Sequence, residues 1–166
     1  MSTLKKIART AALLGIATTA ALTFTAPAHA ADEQGKLTAQ LTITGTSSRC
    51  PVLIVGKVGM TNAQAQYQID NGATARVEIW ADDPIYDNRL YKGPATLSAV
   101  SDKNGGGVFI VSSLTLNCVS LFDEDDKPPF DYGDEIYSKI YFSGPGYSSM
   151  SKRSNTIHRN FGFGEP

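Results

Sequence analysis

Histidine, cysteine and tryptophan are nearly missing from this sequence, and each shortage excludes something. Two histidines occur, and past residue 30 only His158 remains. It sits between Ile157 and Arg159 in a stretch that reads as a strand, where an exposed or half-buried side chain is the ordinary reading and a general base is not. With that one histidine and two cysteines, the common zinc ligand sets cannot be filled. No complete catalytic motif occurs. Ser149-Met150-Ser151-Lys152 has the S-x-x-K form of penicillin-binding enzymes, but the companion motifs are missing, and Gly146 with its neighbouring serines reads as loop rather than helix. Nothing marks two carboxylates across a sugar cleft, as a glycosidase needs. The residues lean against an enzyme without deciding the matter.

Long apolar runs are also short in supply. The stretch Thr10 to Phe24 falls below the ~20 residues that cross a bilayer, and no second apolar run follows it. Lys5, Lys6 and Arg9 precede it and Ala28-His29-Ala30 follows, which is the layout of a bacterial-style secretory signal cleaved before Ala31. Residues 1–30 are therefore expected to be a signal peptide, 31–36 a polar lead-in and 37–163 one domain. The product is expected outside the cell, or in a periplasm where an outer membrane exists, with no membrane span in the mature chain. Cleavage removes three of the 15 basic residues and none of the 16 acidic ones, so 12 face 16, a net charge of −4. That mild acidity, with no basic stripe interleaved with aromatics along the chain, argues against a nucleic-acid partner.

Both cysteines, Cys50 and Cys118, lie past the signal, where oxidation to one disulfide is expected. A bond closing 68 residues restricts the unfolded chain by roughly 4 kcal/mol. Cys50 opens an early strand and Cys118 closes a late one, so the bond is expected to join two sheets.

What the chain does have is alternation with period two. Leu37, Ala39, Leu41 and Ile43 alternate with Thr38, Gln40, Thr42 and Thr44, and Val52 to Val58 is a continuous apolar strand. Ala63, Ala65, Tyr67 and Ile69 alternate with Asn62, Gln64, Gln66 and Gln68; Asn71-Gly72 then signals a tight turn before Ala73, Ala75, Val77 and Ile79, which predicts a hairpin over 62–80. Further strands are read at 95–101, at 108–118 with Phe109 and Val111 inward and Leu114 and Leu116 as further candidates, at 136–142, and at 154–163 with Ile157, Phe161 and Phe163 packing. Outside the signal no apolar residues recur at helical spacing for three turns. Seven to nine strands predict an all-β fold, a single antiparallel β-sandwich of immunoglobulin-like or similar Greek-key form. The order Cys50, Trp80, Cys118 is loosely immunoglobulin-like, although Trp80 falls at a strand end and not at the usual core position.

Two strands run into acidic segments of similar pattern. One carries Asp82, Asp83 and Asp87; the other carries Asp123, Asp125 and Asp131, and continues to Asp134 and Glu135. An aromatic residue precedes each cluster and proline stiffens each turn. Calcium takes six to eight oxygens, and carboxylates from two neighbouring loops can surround it. The second segment, Phe122-Asp123-x-Asp125 followed by Asp131, resembles a calcium loop of the phospholipid-binding β-sandwich domains of synaptotagmins and protein kinase C. The resemblance implies Asp123, Asp125 and Asp131 as oxygen ligands, and covers about ten residues of the chain. The first segment has Ala81 where an acid would strengthen the match, and membrane binding does not follow from the likeness.

Tyr86, Tyr91, Tyr132, Tyr137, Tyr141 and Tyr147 fall in and after the acidic segments. Tyrosine suits protein or carbohydrate contacts, and is equally an ordinary half-buried strand residue. The expected function is a secreted non-catalytic binding or structural module, with calcium as a candidate stabilising ion and an extracellular protein or carbohydrate as partner. The alternatives are a small secreted hydrolase or toxin using acidic residues, and an extracellular protease inhibitor presenting the proline-stiffened loop 127–131.

Overall fold

The computed structural model describes residues 35–45, 48–82, 86–122 and 133–161. The expected signal peptide, all but the end of the lead-in, and Phe163 lie outside the described residues. The described chain forms strands β1 (Leu37–Ile43), β2 (Cys50–Val58), β3 (Thr74–Ala81), β4 (Asn88–Pro94), β5 (Thr96–Val100), β6 (Gly107–Leu116), β7 (Asp134–Gly144) and β8 (Tyr147–Arg159). Two short helices, α1 (Asn62–Asp70) and α2 (Cys118–Phe122), and a 3-10 turn at Asp102–Asn104 interrupt them. Two four-stranded sheets result, in the orders β1-β2-β6-β5 and β4-β3-β7-β8, with every neighbour antiparallel.

Period-two alternation decides which side of each strand is buried. Leu41 and Ile43 of β1, Val52, Ile54 and Val58 of β2, and Val108 and Ile110 of β6 turn inward from the first sheet. Val77 and Ile79 of β3 and Ile136, Ile140 and Phe142 of β7 turn inward from the second, and all of these residues belong to one apolar core. At Gly56 the sheets approach so closely that a Cβ would come within 2.6 Å of Ile140 Cδ1. The same Cβ would stand 2.6 Å from the Thr38 carbonyl oxygen of neighbouring β1, a backbone atom that cannot yield as a side-chain tip can, so β2 keeps glycine here.

The sheet edges are tied as well. Asn155 of β8 acts on β1 as a strand neighbour would: its Oδ1 accepts from Leu41 N at 2.9 Å and its Nδ2 donates to Leu41 O at 3.1 Å. On the other side the chain itself crosses between sheets from β4 to β5 through Ala95, whose N–H donates to Ala75 O at 3.1 Å.

Three sequence expectations are corrected here. The hairpin expected over 62–80 is a helix followed by a strand. Thr61 and Gln64 form a capping box: Gln64 N donates to Thr61 Oγ1 at 3.2 Å and Thr61 N donates to Gln64 Oε1 at 2.9 Å. The alanines and glutamines that follow favour helix, and Asn71 with Gly72 (φ +86°) ends it. Ala65 is buried while Tyr67 is 57% exposed, the reverse of their sharing one strand face.

The second correction concerns the disulfide. Cys50 and Cys118 are bonded, with Cα atoms 6.0 Å apart. Cys118 opens α2, just past β6, and β6 is the neighbour of β2 within the first sheet. The bond therefore staples one sheet to its own following turn and does not bridge the two sheets. The third concerns β6, where Val108, Ile110 and Ser112 face inward. Phe109 and Val111 lie half-buried on the opposite face, one position out of phase with the expectation.

Candidate functional site

The two outer faces differ in chemistry. On the first sheet Thr38, Gln40 and Thr42 are exposed, Leu53 is 41% exposed, and Val55, Phe109 and Val111 are half-buried. Lys57 is the only charged strand residue on that face among the described residues.

The outer face of the second sheet is a lattice of cations and aromatic rings. The registers set three rows across it: Pro94, Arg76, Tyr141 and Ser151; Lys92, Glu78, Lys139 and Arg153; Arg89, Trp80, Tyr137 and Thr156. A register shift between Ile79 and Trp80 brings Arg89 opposite the tryptophan. On β3 the outward positions Arg76, Glu78 and Trp80 alternate with inward Val77 and Ile79, and on β7 outward Tyr137, Lys139 and Tyr141 alternate with Ser138 and Ile140.

At its centre Glu78 is only 2% exposed, although it stands on the side away from the core. Arg76 and Arg89 lie 3.5 Å and 3.6 Å from its Oε1. Trp80 Nε1 donates to its Oε2 at 3.2 Å and the Tyr141 hydroxyl donates to the same oxygen at 2.9 Å. A buried carboxylate is tolerable only when its acceptors are filled, and here a cation pair and two neutral donors fill them.

A second group adjoins it. Tyr137 is fully buried and its hydroxyl donates to Asp87 Oδ2 at 2.6 Å. The Arg153 guanidinium lies 3.6 Å from the Tyr137 ring centroid and forms an ion pair with Asp82. Lys139 sits 4.6 Å from the Trp80 ring and 5.4 Å from that of Tyr137. Burial first, then the hydrogen bond to Asp87, pushes the Tyr137 hydroxyl pKa up; burial and the bond to Glu78 do the same for Tyr141. Both hydroxyls are thereby held as donors.

Of the candidate calcium ligands, Asp82 and Asp87 come together on this face, held by Arg153 and Tyr137. Asp83, Asp123, Asp125 and Asp131 lie outside the described residues. Phe122, which the resemblance sets ahead of a calcium loop, is fully buried, its ring edge-on to Phe161 at 5.2 Å. Among the described residues no three His, Cys, Asp or Glu side chains converge as a metal site would require. His158 pairs with Glu135 at 3.0 Å on the exposed edge of β8.

Of the tyrosines, Tyr137 and Tyr141 enter the lattice, Tyr86 is 82% exposed, and Tyr132 lies outside the described residues. Sequence reading passed over Arg76, Glu78, Arg89, Lys92, Lys139 and Arg153. Alternation in β3 and β7 was the available signal, since it puts Arg76, Glu78 and Trp80 on one face and Tyr137, Lys139 and Tyr141 on another.

Compared with known proteins, the chain matches no family model and no curated protein resembles it at a significant level. No helix among the described residues is long and apolar enough to cross a membrane.

Proposed function

We propose that the protein is an exported, non-catalytic binding module, and that the outer face of the second sheet receives an acidic extracellular partner. One observation carries this reading. Five basic side chains (Arg76, Arg89, Lys92, Lys139, Arg153) and three aromatic ones (Trp80, Tyr137, Tyr141) share that face with four acids, Glu78, Asp82, Asp87 and Glu135, in a chain that is acidic overall after signal removal. A local excess of positive charge on an acidic protein steers anionic partners to one surface. Arginines already stacked on tyrosine lose less freedom when they bind.

The fold proposed for this module is the immunoglobulin-like sandwich. With the strands lettered in chain order and the fourth taken as the added C′, the observed orders read ABED and C′CFG, which supports that topology. Calcium enters the proposal through Asp83, Asp123, Asp125 and Asp131, because Asp82 and Asp87 already have partners. A melting temperature raised by calcium more than by magnesium at equal ionic strength is the readout for that part.

The test of the main reading uses the full mature chain, immobilised and probed with polygalacturonate, neutral amylose and single-stranded DNA. Polygalacturonate is expected to bind, amylose not to bind, and DNA to bind more weakly. Arg89→Ser with Lys92→Ser, both at exposed positions, should remove the binding, and Leu53→Ser on the first sheet should leave it intact. Loss of binding in the Leu53 variant alone, or no binding by any acidic probe, contradicts the proposal. Equal binding of DNA would make the face a general polyanion surface.

A further inference from the structure

We infer that the groove beside Arg76, where the second sheet's outer face meets the β7–β8 turn, is a subsite for one carboxylated sugar residue. This rests on the acidic-partner reading above and names the chemistry of the ligand. The groove is open, about 330 Å³ in volume, and lined by Thr74, Arg76, Tyr141, Ser143, Ser149 and Met150 among others. That volume stands at the small end of ligand sites, which run from about 300 Å³ upward.

The groove has a structural cause. The β7–β8 register shifts between Phe142 and Gly144, so the single residue Ser143 of β7 stands opposite two residues of β8, Ser148 and Ser149, in a bulge. Such irregularities re-aim side chains at a sheet's end. Thr74, Ser143 and Ser149 are exposed and offer three hydroxyls at the rim, while half-buried Met150 supplies an apolar wall. A pyranose has the matching surface: one apolar ring face and a margin of hydroxyls.

Arg76 selects the charge. Glu78 is saturated, with two guanidinium groups at Oε1 and the Trp80 and Tyr141 donors at Oε2. Two positive charges thus share one negative charge, and one remains uncompensated at that carboxylate. The Arg76 guanidinium stacks 3.8 Å from the Tyr141 ring centroid, which fixes its plane, and 41% of its side chain stays exposed. Arginine carries five N–H donors, and the contact with Glu78 uses only the Nη1 end. The rest of the fork suits a carboxylate taken through two parallel bonds. A neutral sugar leaves that charge unanswered, and free phosphate answers it without filling the groove.

The test is a titration of the isotope-labelled mature chain, followed by amide NMR, with methyl glucuronide, methyl glucoside and inorganic phosphate as separate probes. Methyl glucuronide is expected to shift the amides of Thr74, Arg76, Ser143 and Met150 saturably, with affinity at least about tenfold above either other probe. Arg76→Gln should lower that affinity about tenfold and erase the preference over the glucoside. Ser149→Tyr fills the groove from an exposed position away from Glu78, and should abolish the shifts while the rest of the spectrum is unchanged. Glucuronide and glucoside binding alike, phosphate binding as tightly as glucuronide, binding that survives Ser149→Tyr, or the absence of saturable shifts would each overturn the subsite. Shifts confined to Arg89, Lys92 and Lys139 would overturn it while leaving the acidic-partner reading standing; shifts confined to the first sheet would remove both.

Discussion

The two sheets solve the same problem on their inner faces and different problems on their outer ones. Inward, both present aliphatic and aromatic side chains to a single core. Outward, the first sheet presents hydroxyls and a few half-buried apolar side chains around Leu53, Val55 and Phe109, and buries no charge. The second buries a glutamate and a tyrosine under arginines and a lysine. Folding demands only the inner faces. Desolvating a carboxylate on the outer side is costly and gives the core nothing, so the lattice around Glu78 points to a requirement other than packing. The first sheet instead has a covalent anchor, the Cys50–Cys118 bond.

Removing that anchor should have the largest effect. Cys50→Ser with Cys118→Ser is expected to lower the unfolding free energy by about 3–4 kcal/mol in chemical denaturation. The loss should add independently to that of changes on the second sheet's outer face, since distant sites without shared partners are additive. Strong coupling between the two would mean that the disulfide and the second sheet's outer face do not act independently.

Next comes Glu78→Gln, which keeps the shape but leaves Arg76 and Arg89 without their counter-charge. A loss of about 2 kcal/mol is expected, moderated because both arginines are partly exposed. Greater stability in the variant would mean that the buried carboxylate is a burden relieved by neutralisation.

Tyr137→Phe should cost about 1 kcal/mol at neutral pH through loss of the bond to Asp87. Its pH dependence follows from the raised hydroxyl pKa values of Tyr137 and Tyr141. In the unfolded chain these groups lose their protons near the ordinary value of 10.0, while the folded chain keeps them to higher pH. Above that value the unfolded state binds fewer protons than the folded one, so stability falls as pH rises. The contribution is complete below pH 10.0 and is lost as pH climbs through the folded values. Tyr137→Phe should flatten this alkaline decline, as melts over an alkaline series would record. The smallest effect is expected from Leu53→Thr on the first sheet's outer face, within about 0.5 kcal/mol. A larger loss would mean that face contributes more than solvation.

Much of the β architecture was legible in the chain. The strict alternation of Leu37–Ile43 and the apolar run ending at Val58 predicted β1 and β2, and Ile136 to Phe142 predicted the centre of β7. Residues 62–70 misled because Ala63, Ala65, Tyr67 and Ile69 alternating with Gln64, Gln66 and Gln68 imitate strand periodicity; the capping pair Thr61 and Gln64 was the better signal. In β6 an all-apolar opening, Val108 to Val111, gave no phase, and tertiary contacts chose Val108 and Ile110 for the inside. The candidate site was less legible still. Short stretches such as Tyr137-Ser138-Lys139-Ile140-Tyr141 mix charge with rings, but no one of them makes the site, because the lattice draws Arg89 from β4, Glu78 from β3, Tyr141 from β7 and Arg153 from β8. Period-two patterns assign each side chain a face, but only strand order and register make neighbours of Arg76 and Tyr141.

The role proposed for the outer face of the second sheet is to engage an acidic partner through its arginines and lysines. The most direct measurement is the affinity for polygalacturonate across a series of salt concentrations. Releasing counterions from a polyanion makes log affinity fall linearly with log salt, with a slope that counts the cations engaged. A steep negative slope is expected for the wild-type chain, a slope shallower by about one for Arg89→Ser, and an unchanged slope for Leu53→Ser. A wild-type slope near zero, or one that Arg89→Ser leaves untouched while Leu53→Ser abolishes binding, would contradict it.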